Sequence, residues 1–209
     1  MLTGIAVDGE DKTEELIRFI EIIGLSSIAA GRYSAFFATQ LYCESMVMGV
    51  LTPERVMCEI RALELLEPVS VTKPAAQFQR LPLKGLWHKH YTVSGIPSIA
   101  VNVMNALKRI GTPEFSESVR QVEASVEERY FEKEDIDRYV REVVHTNYQK
   151  RRDAGEMTGE WIVYAVHEGR NYYLCLGTHK TGDDLLRQWI DLIYLKEFPF
   201  LDQILDRPT

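Results

Sequence analysis

The chain has 209 residues, of which 45% are hydrophobic and 26% charged, a composition typical of a globular protein. No apolar run reaches the roughly 18 residues that a membrane helix needs, and the N-terminus lacks the basic start and apolar core of a signal peptide. We therefore expect a cytoplasmic protein that makes no membrane contact. The formal net charge of −7 argues against non-specific binding of nucleic acid by the whole surface.

Residues 1–67 are predicted to form a helical region. The stretch "DKTEELIRFIEIIG" places Leu16, Ile17, Ile20 and Ile23 on one helical face. A longer apolar helix is expected over residues 28–49. A third helix is expected to begin at Thr52 and Pro53, as a cap and a first-turn proline, and to end before Pro68. These helices could pack as a small bundle and offer a surface to a protein partner.

Residues 68–83 contain three prolines and no helical period, which indicates a linker or an extended crossing segment. The same region begins an acid-free segment, because residues 68–113 contain no Asp or Glu. An even distribution of the 31 acids would place about seven there. A basic zone in an acidic protein is a candidate contact for RNA or another polyanion, although such runs also face water or pair with acids from other elements.

Residues 84–209 are predicted to form an α+β domain. A strand is expected over residues 86–93, followed by three helices, a β-hairpin at "EWIVYAVHEGRNYYLCLGTH" and a last helix at "TGDDLLRQWIDLIYLKEF". The turn "EGRN" suits a hairpin because its Gly and Asn favour tight turns. The predicted fold class is α+β, with an N-terminal helical segment followed by a small antiparallel sheet packed with several helices.

The stretch "KGLWHKHY" carries two histidines within the predicted strand. Alternation places His88 and His90 on one side and Trp87, Lys89 and Tyr91 on the other. Two imidazoles on one face could share a metal ion, two proton-transfer steps or a phosphate, since the histidine pKa lies near neutrality. A pair of surface histidines with no function is an equally good interpretation.

A second candidate stretch is "LGTHKTGDD", where a strand leads into a helix N-terminus. His179 and Lys180 lie at this junction, which favours anions because free N–H groups point outward there. The plain alternative is that Gly177 and Gly182 are turn glycines and that His179 is an exposed loop residue.

The stretches "LKGLWHKHYT" and "WIVYAVHEGRNYYLCLGTHKTGDD" together resemble the sheet of RelE- and YoeB-type messenger-RNA interferases, which belong to the barnase/EndoU/colicin/RelE group of ribonucleases. The resemblance covers about 35 residues. Small interferases lack an insert like residues 97–150 and a helical region like residues 1–66, and the acidity of this chain is also unlike them.

The resemblance implies cleavage of RNA without a metal or other cofactor. One group removes a proton from the ribose 2′-hydroxyl, another protonates the departing 5′-oxygen, and a cation stabilises the transition state. The proton transfers would be carried out by His88 or His90 and by His179. Phosphate would be held by Lys84, Lys89 or Lys180, and a base would stack on Trp87 or Tyr91. Because Lys89 faces away from the histidines in a regular strand, a bulge or twist would be needed for all to act together.

Two other functions stay open. His88 and His90, with His179 or Asp183, could hold a metal ion that activates water for hydrolysis. Alternatively, the protein is a non-enzymatic module that binds a protein or nucleic acid. No Walker A, GxGxxG, HExxH or GxSxG signature is present, which lowers nucleotide-dependent and serine-hydrolase interpretations.

Overall fold

Helices and antiparallel strands build the molecule, so the predicted α+β fold class is confirmed. Within the described part of the chain, no helix is long and apolar enough to span a bilayer. The computed structural model describes residues 5–7, 9–66, 70–93, 96–124, 133–157, 159–178, 180–194 and 196–205.

The principal sheet has four antiparallel strands in the order β3–β4–β5–β6. Their bounds are β3 Ala76–Gln77, β4 Trp87–Tyr91, β5 Glu160–His167 and β6 Arg170–Gly177, and a separate ribbon pairs β1 (Ala6–Val7) with β2 (Glu10–Asp11). The predicted strand and hairpin are therefore confirmed. The register places His90 opposite Trp161 and Trp161 opposite Gly177. The end of β6 thus lies two strand spacings from β4, about 10 Å.

Four helices precede the sheet in the chain. They are α1 (Thr13–Ile22), α2 (Leu25–Ile28), α3 (Ala35–Tyr42) and α4 (Pro53–Leu63), and a π-helical turn over Cys43–Val47 follows α3 directly. The predicted first and third helices are confirmed. The predicted single helix over residues 28–49 is wrong at its start, because Gly31 has φ 68° and Tyr33 forms a β-bridge with Tyr173. Ser34 then caps α3 by accepting a hydrogen bond from Phe37 N at 2.9 Å.

The sheet has two faces, each covered by different elements. The face that carries Lys89, here called the lysine face, packs against α1, α3 and α4 in one hydrophobic cluster. This cluster joins residues of the N-terminal helices, such as Phe37 and Ile60, to sheet residues such as Ile162 and Tyr173. The helical region and the sheet therefore share a core. The segment expected to be a linker, residues 68–83, also enters the sheet because it contains β3.

The opposite face carries His88 and His90 and is here called the histidine face. It packs against α9 (Asp183–Tyr194) and a 3-10 helix at Pro199–Gln203. A Cβ atom added at Gly177 would lie only 2.9 Å from Leu186 Cδ2, so glycine at this position lets α9 approach the sheet closely.

A helical insertion separates the neighbouring strands β4 and β5. It consists of α5 (Ile96–Ile110), α6 (Pro113–Ala124), α7 (Lys133–Val140), a π-helical turn over Arg141–Thr146, and α8 (Asn147–Asp153). The three helices expected here are confirmed, and the third contains the π-helical turn. The insertion returns to the sheet beside residues 70–73, where Lys73 N donates to Met157 O at 3.1 Å.

Candidate functional site

Strand β4 divides the predicted site residues between the two faces of the sheet. His88 and His90 lie on the histidine face with ring centroids 5.7 Å apart, as the alternation predicted. Trp87, Lys89 and Tyr91 lie on the lysine face. The one strand irregularity in the β5–β6 pairing lies at Val163/Tyr164, and β4 pairs with β5 in unbroken register. The described part of β4 therefore lacks the bulge that would bring all five side chains to one site.

The histidine face holds a cluster of four rings. The His88 ring lies 4.7 Å from Phe78 and 5.4 Å from Trp161, and His90 lies 6.4 Å from Trp161. His88, Phe78 and Trp161 are half-buried, so part of each ring faces solvent. We call these four residues the ring cluster. Phe78 and Trp161 were missed as site residues because each looks like an ordinary packing aromatic in the sequence.

His90 is the most enclosed member of the ring cluster, with 7% of its surface exposed. Its Nδ1 atom lies 2.9 Å from Gly159 O and 3.3 Å from Gly159 N. The shorter contact favours the tautomer in which Nδ1–H donates to the carbonyl oxygen. His90 therefore ties β4 to the residue before β5, and His88 is the more accessible imidazole.

Lys89 has a structural environment that does not suit its predicted phosphate contact. Its Nζ atom donates to Lys73 O at 2.6 Å and Ser70 Oγ at 2.7 Å, and it lies 3.2 Å from Glu59 Oε2. Burial lowers the pKa of the Lys89 ammonium, and the neighbouring Glu59 carboxylate opposes that shift. The residue as a whole is 4% exposed. Its charge is thus already met by protein groups, which the acid-free local sequence did not reveal.

Trp87 and Tyr91 are also placed differently from what base stacking requires. Tyr91 is 1% exposed within the hydrophobic cluster, and burial raises the pKa of its phenol. Trp87 stacks on Tyr164 with ring centroids 6.5 Å apart, on the face opposite the histidines. Neither side chain shares a surface with His88, and the nearly complete burial of Tyr91 corrects its predicted role in stacking a base.

The loop that joins β3 to β4, residues 78–86, places cations beside the ring cluster. Arg80 and Lys84 are exposed, and neither forms an ion pair within the described ranges. Leu83 and Leu86 are fully buried on the histidine face, and Arg187 of α9 donates to Pro82 O at 2.9 Å. The loop is therefore held against the sheet, with its cations directed outward.

The remaining candidates are spread more widely. Lys180 is exposed three residues after Gly177, the last residue of β6, which itself lies about two strand spacings from His90. His179 lies outside the described residues, so its role stays a prediction. The acid-free segment does not act as one basic surface, because Lys89 is buried and Arg109 forms an ion pair with Glu156. Among the described residues, no group of three His, Cys, Asp or Glu side chains could hold a metal ion.

Comparisons with protein families, with curated proteins and with solved structures found no match to this chain. The resemblance to RelE- and YoeB-type interferases therefore stays a prediction made from the quoted sequence stretches.

Proposed function

We propose that this protein binds single-stranded RNA on its histidine face. The observation that carries the proposal is the partly exposed rings of Phe78, His88 and Trp161, together with the exposed cations Arg80 and Lys84 of the adjoining β3–β4 loop. Single-stranded nucleic acids are bound by rings on which bases stack and by cations that follow the phosphates. Phe78, His88 and Trp161 supply ring surface, while Arg80 and Lys84 supply charge.

Chain geometry supports a joint contact by these two groups. Arg80 follows Phe78 by two residues, so their Cα atoms lie at most about 7 Å apart. Phe78 N donates to Leu86 O at 2.8 Å, and Gly85 N donates to Phe78 O at 3.2 Å. These bonds hold the ring and the ends of the loop in a fixed relation, so little conformational entropy is lost on binding.

The experiment compares a charge-reversed variant with a matched control. Arg80→Glu with Lys84→Glu changes the charge of the β3–β4 loop, and Arg18→Glu with Arg55→Glu makes the same change at exposed positions on α1 and α4, which cover the lysine face. Binding of a labelled single-stranded RNA is measured by fluorescence anisotropy over a range of salt concentrations. We expect the loop variant to lose at least tenfold in affinity, and the control variant to bind nearly as the parent does.

RNA cleavage is the further activity that the interferase resemblance implies. Of the histidines assigned to proton transfer, His88 is half-buried on the histidine face, and His90 is hydrogen-bonded to Gly159. His179 lies outside the described residues. Incubation with RNA in EDTA tests the activity. Cleavage that persists in EDTA and disappears in His88→Ala would add catalysis to binding. Cleavage that needs a metal would instead favour the hydrolase alternative.

The N-terminal helices carry one feature that favours a protein partner as a second function. Met46, Val47, Met48 and Val50 are 48–63% exposed, in and directly after the π-helical turn. Consecutive exposed apolar side chains are unusual outside interaction sites, and methionines adapt to partners of different shape. The partner segment that fits these side chains is an apolar one. Met46→Ser with Met48→Ser should abolish binding of such a peptide and leave RNA binding unchanged.

A further inference from the structure

The helical segment formed by α7, the π-helical turn and α8 buries polar side chains and exposes apolar ones. Its four buried residues are all polar or charged: Asp135, Glu142, Asn147 and Arg151. Three of its aliphatic residues form an exposed stripe instead: Ile136 (54% exposed), Val140 (48%) and Val144 (38%). Apolar residues that recur at helical spacing usually face a core, so their exposure is unexpected.

Glu142, Asn147 and Arg151 have hydrogen-bond partners inside the insertion, which explains why they point inward. Both Glu142 carboxylate oxygens accept hydrogen bonds at 2.8 Å from the backbone N–H groups of Glu114 and Phe115, at the start of α6. Asn147 Nδ2 donates to Gly111 O at 2.8 Å, just after α5 ends. These contacts satisfy groups at two helix termini that would otherwise lack partners. They fix the rotation of the segment, and the apolar stripe is left outside.

We propose that a second copy of this chain covers the stripe in an antiparallel, two-fold symmetric helix pair centred on Val140. In such a pair, the numbers of two residues that face each other add up to about 280. Val140 then faces Val140, and Ile136 faces Val144 of the second copy. A two-fold interface requires one surface to be complementary to itself, which the stripe satisfies because its members are all aliphatic.

Charge along the stripe supports this occupant over an unrelated protein. Asp137 and Arg141 each directly follow a stripe residue, so both lie along the same side of the stripe. Two-fold symmetry brings this side against its counterpart, where Asp137 lies within two residues, about 3 Å along the axis, of Arg141 of the second copy. Both side chains are exposed, and neither forms an ion pair within the described ranges. The symmetric pair would therefore gain two ion pairs.

The shape of the surface agrees with the same arrangement. An open depression of about 530 Å³ lies beside the second half of the stripe, with Val144, Tyr148, Arg141 and His145 among its lining residues. The antiparallel pairing places Ile136 of the second copy opposite this depression. Because the symmetry repeats the contact, each copy inserts its Ile136 and receives the other, and the interface closes at two chains.

Sedimentation velocity over a range of concentrations tests the proposal. We expect a dimer at about 100 µM, with a Kd on the order of 10 µM, as a small interface with few buried anchors would give. Val140→Glu places two like charges near the symmetry axis and should leave a monomer at the same concentration. Leu192→Glu is the control, because Leu192 is 75% exposed on α9, away from the stripe, and this variant should dimerise normally.

A charge exchange distinguishes a second copy from any other occupant. Asp137→Arg alone and Arg141→Asp alone should each raise the dimer Kd at least tenfold, because like charges then face each other. The double variant restores opposite charges across a symmetric interface and should return the Kd to within about threefold of the parent, because both partners change together. A parent chain that stays monomeric up to about 100 µM, or a double variant as weak as the singles, would overturn the proposal.

Discussion

Glu59 Oε2 and Lys89 Nζ lie 3.2 Å apart, and each side chain is only 5% exposed. The pair joins α4 to β4 beneath the lysine face, and Ser70 Oγ donates to the same carboxylate oxygen at 2.6 Å. A buried ion pair gains little over apolar residues, but removing one partner leaves the other charge unpaired. Lys89 is therefore a structural residue, which attaches residues 70–73 to the sheet.

Lys89→Met should destabilise the fold by about 3–5 kcal/mol, because Glu59 is left buried without its cation. Glu59→Leu combined with Lys89→Met should cost clearly less than the sum of the two single variants. Urea unfolding at pH 7 measures these free energies. Lys84→Met is the control on the same hairpin, and its effect should stay within about 0.5 kcal/mol. A loss below about 1 kcal/mol for Lys89→Met would contradict the structural role.

The buried carboxylate of Glu142 holds the start of α6 in place within the insertion. Glu142→Ala removes both acceptors at the start of α6 and should cost about 2 kcal/mol, the upper range for loss of a helix cap. In this variant, the amides of Glu114 and Phe115 should exchange hydrogen faster than in the parent, while the amides of β5 should exchange as in the parent. Glu134→Ala, at an exposed position at the start of α7, should leave both measurements unchanged.

Alkaline pH should destabilise the protein through its buried tyrosines. Burial raises the pKa of Tyr164 from 10.0 to about 12. Below pH 10 the phenol is protonated in both states, but between about pH 10 and 12 only the unfolded chain releases the proton, so stability falls as pH rises. Tyr164→Phe should reduce that slope by about 1.4 kcal/mol per pH unit.

Variants must be compared at alkaline pH, because Lys89 changes the pH dependence of stability in the opposite direction to Tyr164. Its pKa is lowered by burial, so it contributes stability that increases as pH approaches 10.5. Urea midpoints of Tyr164→Phe and the parent between pH 9 and 11 isolate the tyrosine. Tyr139→Phe, at an exposed position, is the control. An unchanged slope in Tyr164→Phe would refute the assignment.

Glu64 should make the protein sensitive to acid. Burial raises the pKa of its carboxyl, but hydrogen bonds from Arg32, Tyr173 and Asn171 outweigh this and hold the pKa below its usual value. A lowered folded-state pKa contributes stability above about pH 4.5, and this stability is lost as pH falls further. Glu64→Gln should therefore be less stable than the parent at pH 7, and the difference should shrink towards pH 3. A difference independent of pH would contradict this account.

Local sequence patterns predicted helices and strands well where neighbouring residues determine the structure. The first-turn proline of α4, the glycine-containing turn of the hairpin and the alternation of β4 all depend on nearby residues, and each was confirmed. The interruption at Tyr33 was missed because its cause is the distant pairing with Tyr173.

The site was harder to predict because its chemistry depends on contacts between distant residues. Lys89 lies in an acid-free segment, but its carboxylate partner comes from α4, 30 residues earlier in the chain. Trp161 reaches the histidines only through the β4–β5 register. Ile136, Val140 and Val144 recur every four residues, close to the helical period, but periodicity does not reveal which side of a helix meets the core.

RNA binding by the histidine face is tested most directly by the salt dependence of affinity. For single strands, each phosphate contact contributes about −0.7 to the slope of log K against log salt. Arg80→Glu with Lys84→Glu should reduce the magnitude of this slope by about 1.4 and weaken binding, while Arg18→Glu with Arg55→Glu should leave the slope unchanged. Equal slopes for the loop variant and the parent, or no RNA binding by the parent at low salt, would contradict the proposal.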